Sequence, residues 1–313
     1  VVSLTIQQER QRIRQLIDLD NQTDVKSSQY YRECLMYIRN HLTQFYARYA
    51  NDNGLTVSQV SIRASRWELK DWQDAIRQTD MSDWPNEAFV RIKAYNAQIH
   101  IDRKHVLAAL IGLAIIIMTA KNQRNIERRI ELDANTELRR MKAAFNLSKK
   151  QAKQIGSIIS QARRQSKWSA NLWIDSDSLA NDVETLVNRH LKHGMSLSNM
   201  DKLLENHVNP NQFKPSQSIA DRVKQTEYQA RRLVRTESAR LTDEVNMTTY
   251  RMKNVKMVDW IAEPGACAKC ASIASNGPYS LDDVPLIPDD SHPNCRCHKT
   301  PASDPNFVNF NNY

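Results

Sequence analysis

Four of the five cysteines fall between Asp259 and His298, and no other stretch restricts the fold as tightly. They stand as Cys267-x2-Cys270 and Cys295-x-Cys297, with His292 three residues ahead of Cys295. A Cys-x2-Cys pair can place two thiolates on one metal ion. A second pair from a distant strand or turn then closes the tetrahedron that Zn²⁺ prefers. The 21 residues between Cys270 and His292 are close to the spacing of ribbon-type zinc sites. Pro264-Gly265 is a turn dipeptide suited to aiming backbone N–H groups at thiolate sulfur.

More side chains are on offer than a tetrahedron can use: Cys267, Cys270, His292, Cys295, Cys297 and His298. Cys267, Cys270 and His292 are the expected ligands, and the spacing does not choose between Cys295 and Cys297 for the fourth position. Either completes a Cys₃His shell with no position open for water, which is a structural zinc site rather than a catalytic one. Neither His-x-Glu nor His-Glu-x-x-His, the patterns of zinc deaminases and zincins, occurs in the chain. A disulfide cluster is the competing explanation. Nothing suggests a secretory route, however, and Cys-x-Cys cannot easily bridge to itself.

Only six glycines in 313 residues argue for long helices over a sheet built on tight turns. The length suggests about two domains. The chain opens on Val1 rather than Met, so residues are expected to precede it; no signal-peptide pattern is visible in its polar, periodic start, which has no apolar core. Leu4, Ile6, Ile13, Leu16 and Ile17 give a short amphipathic opening. A second helical pattern then runs from Tyr30 to Tyr49, ended by Asn53-Gly54, and Val57 to Trp72 continues in the same style. Cys34 on this pattern reads as a buried, inert thiol. Val106 to Ala120 is the most apolar run; at 15 residues it is short of a membrane span. It is expected to be a helix buried on all sides, with a membrane-active segment as the alternative. Ser178 to His193, Ser196 to His207 and Ser218 to Met252 read as further helices, and Val255 to Ala262 alternates as a strand leading into the first cysteine pair.

Net charge is +9, which favours nucleic acid or another acidic surface as partner. The excess is local: residues 121–167 hold thirteen Lys/Arg against four Asp/Glu. Leu138 to Ile174 contains no acid and nine bases: Arg139, Arg140, Lys142, Lys149, Lys150, Lys153, Arg163, Arg164 and Lys167. Ser148 with Gln151 resembles a capping box opening a helix whose apolar face is Ala152, Ile155, Ile159 and Ala162. An acid-free basic helix is the usual footprint for a phosphate backbone, so these nine are the candidate DNA-binding residues. A solvated face, or one meeting an acidic protein, explains the same charges.

These features together resemble the phage head-morphogenesis, or Mu F-like minor head protein, family. The resemblance is carried by Arg235, Thr236 and Glu237 on a long helix, then Asp259-Trp260, Cys267-x2-Cys270 and the hexapeptide His292 to Cys297. It covers roughly residues 150–298. It implies a non-enzymatic structural protein of the virion, present in several copies around the portal protein at one capsid vertex. Major capsid or scaffolding protein are further implied partners, with roles in head assembly and in contact with packaged double-stranded DNA or its ejection. The implied location is the capsid interior or portal vertex, and the host cytoplasm during assembly. Some relatives carry a fused enzyme; with 15 residues after His298, none is expected here. On charge and periodicity alone Arg235 and Glu237 are a solvated helix face; the resemblance raises them to ion-pair partners that dock the zinc module on the helix.

The expected architecture is therefore mainly α, with a small C-terminal zinc-stapled β module. Its parts are an N-terminal helical domain at 1–145, the helical part of the head-morphogenesis domain at 146–254, the Cys/His module at 255–300 and an extended tail at 301–313. The alternative function is a metal-dependent nuclease or other DNA-processing enzyme. That would need a general base, for which His298 is available, and open metal positions. Asp282, Asp283, Asp289 and Asp290 in the connecting loop are better explained as turn formers.

Overall fold

No glycine or proline interrupts residues 6–49, and the computed structural model forms them into one helix, α1 (Ile6–Tyr49). The structure describes residues 4–51, 54–194, 196–205 and 218–302. The helices that follow are α2 (Val57–Val60), α3 (Arg66–Gln78), α4 (Asn86–Gln98), α5 (Arg103–Ala144), α6 (Lys149–Gln165), α7 (Trp168–Lys192), α8 (Leu197–Leu204) and α9 (Ile219–Met252). After α9 come β1 (Met257–Ile261), α10 (Ala268–Ser275), β2 (Tyr279–Ser280) and β3 (His298–Pro301). The fold is a mainly α-helical body with a small C-terminal sheet beside the cysteines.

The break expected near Ile17 is absent. The buried stripe of α1 continues through polar side chains at the same three- and four-residue steps: Glu9, Ile13, Leu16, Asp20, Thr23, Ser27, Tyr31, Cys34 and Ile38. The stretch from Val57 to Trp72, expected as one helix, is two. Ser65 starts α3 with a capping box closed by Glu68, and this fixes a non-helical N-cap where continuity was anticipated. Beyond α7, Gly194 takes the positive φ of 72° that a left-handed helix stop requires.

The described residues group into two compact units that do not follow the linear boundaries at 145 and 254. One comprises the described residues of 4–25, 125–168 and 231–302, the other those of 26–124 and 169–230. Helices α1, α5 and α9 contribute to both. At 1.5 Å per residue, a 44-residue helix is roughly 66 Å long, well beyond the extent of a single core.

In the second unit, Val106, Ala109, Leu110 and Leu113 of α5 pack with Trp72 and Ile99. Ile116 and Ala120 pack with Ala88 and Trp173. Helix α5 is long and apolar enough to cross a membrane, yet 78% of its apolar window is buried in the protein. Cys34 is buried, and burial pushes its thiol pKa up, as an inert core cysteine requires.

The first unit carries the sheet, in order β2-β1-β3 and antiparallel throughout. Ile261 pairs with His298 and Val258 with Pro301. The strands hold only five, two and four residues, too little for a sheet to stand alone. The tail from 303 to 313, with Phe307, Phe310 and Tyr313, lies outside the described residues, as does the loop around Pro210.

Candidate metal centre

Two short structures bring the cysteines together. After β1 the chain turns at Gly265, whose φ of 73° has open space where a Cβ would sit. Cys267 then caps α10, its Sγ accepting the Cys270 amide at 3.5 Å. At the other end Asn294 takes a positive φ of 74°, and the Cys297 amide reaches Cys295 Sγ at 3.4 Å. Amide-to-sulfur bonds of this kind favour the thiolate.

The ligand atoms of Cys267, Cys270 and His292 lie within 4.8 Å of one another, and so do those of Cys270, Cys295 and Cys297. Cys270 belongs to both triads. Its sulfur is 3.8 Å from that of Cys295; with Zn–S bonds near 2.3 Å, a tetrahedron has an S···S edge of about 3.8 Å. His292 Nδ1 bonds the Pro293 carbonyl at 2.8 Å, while the buried Nε2 has no hydrogen-bond partner. This carbonyl fixes the proton on Nδ1 and leaves the Nε2 lone pair free, the arrangement usual for a ligating histidine. The donor set fits a cation that prefers sulfur and imidazole.

Electrostatics point the same way. The Cys270 amide holds the Cys267 thiol below its ordinary pKa. Hydrogen bonds from Cys297 bring Cys295 down to about 6. Burial, then the neighbouring Cys295, raises Cys270 to about 12, and the hydrogen bond to Cys295 followed by burial raises Cys297. Without a cation, crowded thiols cannot all ionise. The charge of Cys295, together with that of Cys267, contributes to raising the His292 pKa, behind the Pro293 carbonyl bond, whereas Cys297 acts through hydrogen bonds on Cys295 and Cys270. His298, the sixth candidate, is elsewhere: it is buried in β3 with Nδ1 3.0 Å from Glu9 Oε2.

The module is fastened to α9 by the residues picked out there. Thr236 Oγ1 accepts the Asn294 amide at 2.8 Å, and Arg235 Nη2 meets Glu263 Oε2 at 2.5 Å. Glu263 Oε1 accepts the Arg296 amide at 2.9 Å. Among the described residues Glu237 forms no ion pair with the module. It pairs with Arg240, whose guanidinium reaches the Ala162 carbonyl near the end of α6, so the expectation of a docking ion pair fails for this residue. Trp260 is buried under Lys299, whose ammonium lies 5.6 Å from its ring, and Asp259 is half-buried, its carboxyl pushed up by that burial.

The basic residues separate into two groups. Arg139, Lys142, Lys149, Lys150, Lys153, Arg164 and Lys167 are exposed. The capping box of Ser148 and Gln151 forms as expected, and α6 turns Ile155 and Ile159 inward. Arg140 is not available to a polyanion. It is held by Glu9 at 2.5 Å and by Glu137 at 2.5 Å, because two buried carboxylates require a cation. Arg163 is half-buried, 3.8 Å from Glu127 and 3.7 Å from Glu131.

Sequence reasoning missed the buried ionic residues behind the module: Glu9, Asp20, Asp133, Glu137, Arg296 and Lys299. Asp20 and Glu9 could have been found as polar residues in phase with the apolar stripe of α1. For Arg296 the only signal was its place between two cysteines. No family model matches this chain, and neither does any curated protein or solved structure.

Proposed function

We propose that this chain is a non-enzymatic structural protein of a tailed-phage head, seated at the portal vertex, whose C-terminal module is held together by Zn²⁺. Cys267, Cys270, His292 and Cys295 are the ligands, with Cys297 bonding to the Cys295 sulfur from outside the shell. Zinc, when bound, supplies a cross-link between the two turns that a sheet this small cannot supply from apolar burial. The observation that carries the reading is the meeting of its motifs. Arg235 and Thr236 precede His292 and Asn294 by more than fifty residues in sequence, yet they hold the turn that presents the ligands.

The exposed lysines and arginines around α6 form the face that meets packaged DNA, through phosphate charge and without reading sequence. The geometry disfavours the nuclease alternative: His298, its general base, is occupied by Glu9 and buried. Of the loop aspartates, Asp290 acts as a turn former, accepting the Leu286 amide at 2.8 Å.

The experiment is head incorporation of the Cys267→Ser/Cys270→Ser variant in the phage that encodes the chain. Purified heads are probed for the protein, and the variant for zinc. Loss from heads together with loss of zinc is expected. Normal incorporation of a zinc-free variant would overturn the proposal.

A further inference from the structure

Arg296 stands between the last two cysteines, and its side chain is fully buried. Its Nε donates to Asp20 Oδ2 at 2.7 Å, its Nη2 to Asp20 Oδ1, and its Nη1 to Ser238 Oγ at 2.9 Å. Asp20 belongs to α1, far away in sequence, and is shared with Arg129 at 3.1 Å. Arg129 also pairs with Asp133, which receives the Ser238 hydroxyl. Arg235 lies 3.7 Å from Asp20 and bonds Glu263. Three carboxylates (Asp20, Asp133, Glu263) thus face three guanidiniums (Arg129, Arg235, Arg296). The cluster is neutral only with Arg296 in place.

The residues just after Cys297 also reach α1 or the chain leading into it. His298 meets Glu9 at 3.0 Å, and Thr300 Oγ1 donates to the Leu4 carbonyl at 2.9 Å. Positions 296, 298 and 300 therefore take hold of residues 20, 9 and 4 in turn. This is a zipper whose first tooth is set between two thiols.

We propose that metal binding at the Cys/His turns seats Arg296 and so locks residues 4–25 onto their unit, making the metal a control on the N-terminal helix as well as on its own module. The proposal rests on the metal reading above. Ligation by Cys295 fixes the backbone from which the Arg296 side chain is aimed. When the turn is released, Asp20 loses a bidentate partner and keeps only a share of Arg129 and the more distant Arg235. A buried carboxylate left short of charge is strongly destabilising, so α1 opens from Asp20 outward, against the hold that Arg12 keeps on Glu137 and Glu9 on Arg140.

Hydrogen exchange followed by mass spectrometry on the full chain tests this, with Zn²⁺ loaded and after stripping by a chelator. Stripping is expected to speed exchange within residues 4–25 roughly a hundredfold, the factor that follows from losing a buried ion pair. Residues 106–120 of the second unit stay protected. Arg296→Leu should keep its zinc by elemental analysis yet exchange at 4–25 as the stripped protein does. Arg296→Lys, which keeps the charge and loses the fork, should fall between. Unchanged exchange at 4–25 after zinc is removed, or an Arg296→Leu protein that retains both zinc and protection, overturns the lock alone. A chain that takes up no Zn²⁺ overturns the metal reading and the lock's trigger with it.

Discussion

Replacing Thr236 with valine removes one oxygen and leaves the side-chain volume nearly unchanged. That oxygen accepts the Asn294 amide at 2.8 Å. The amide is aimed by a left-handed turn residue, φ 74°, so it cannot readily swing to another partner. Losing a hydrogen bond of this kind costs about 1 kcal/mol net, rising to about 3 kcal/mol if the half-buried N–H is left dry. Asn294 lies between the proposed ligands His292 and Cys295, so the cost falls on the docked form of that turn. Converted at 1.4 kcal/mol per decade, this is roughly a fivefold to hundredfold faster opening. Transfer of zinc from the full chain to a chromogenic chelator reads that opening by absorbance, and Thr236→Ser should restore the slow rate. Equal release from wild type and Thr236→Val would refute the reasoning. So would a serine variant as fast as the valine one.

Three further outcomes follow from the same geometry. Cys295→Ser should lose stoichiometric zinc while Cys297→Ser keeps it, read by elemental analysis of the dialysed proteins; the reverse result would exchange their roles. Lys149→Glu/Lys150→Glu/Lys153→Glu should weaken binding to nonspecific duplex DNA and lower the salt slope by up to about 2.7 for three phosphate contacts. Arg140→Ala should leave that slope unchanged and cost about 3 kcal/mol of stability in urea, because it leaves buried Glu9 with His298 and buried Glu137 with Arg12 as their remaining partners. Burial would raise the Glu137 carboxyl, but Arg140 and then Arg12 outweigh it and hold the pKa below the ordinary 4.5. A carboxyl lowered in the folded state stabilises above its unfolded pKa and loses that contribution as pH falls through the folded one. Acid unfolding should therefore be steeper below about pH 4.5 in the wild type than in Glu137→Gln, which is weaker at neutral pH; identical acid limbs would contradict the pairing.

The long helices were legible because apolar residues recur at helical steps and glycine is scarce. So was the capping box at Ser148. The strand after Val255 and the cysteine pairs were legible because alternation and ligand spacing are local signals. The unbroken length of α1 was hidden because its buried stripe changes character. Glu9, Asp20, Thr23 and Ser27 occupy positions that apolar side chains occupy elsewhere, and the charged pair among them, Glu9 and Asp20, finds its partners more than a hundred residues away in sequence. Periodicity counts hydrophobes, so a buried ionic stripe reads as a weak helix. The interleaving of the two units was hidden for a related reason: three helices outrun a single core, which no local pattern announces. Arg140 shows the limit of charge counting, since a base in an acid-free run finds its acids on another helix. The division of labour within Arg235, Thr236 and Glu237, two toward the module and one toward Arg240, required coordinates.

The proposed Cys₃His zinc site, closed to water and holding the C-terminal module, is open to X-ray absorption at the zinc edge of the purified chain. About one zinc per chain is expected, with three sulfur neighbours near 2.3 Å and one nitrogen near 2.0 Å. A shell containing an oxygen from water, or a chain that binds no zinc, would contradict it.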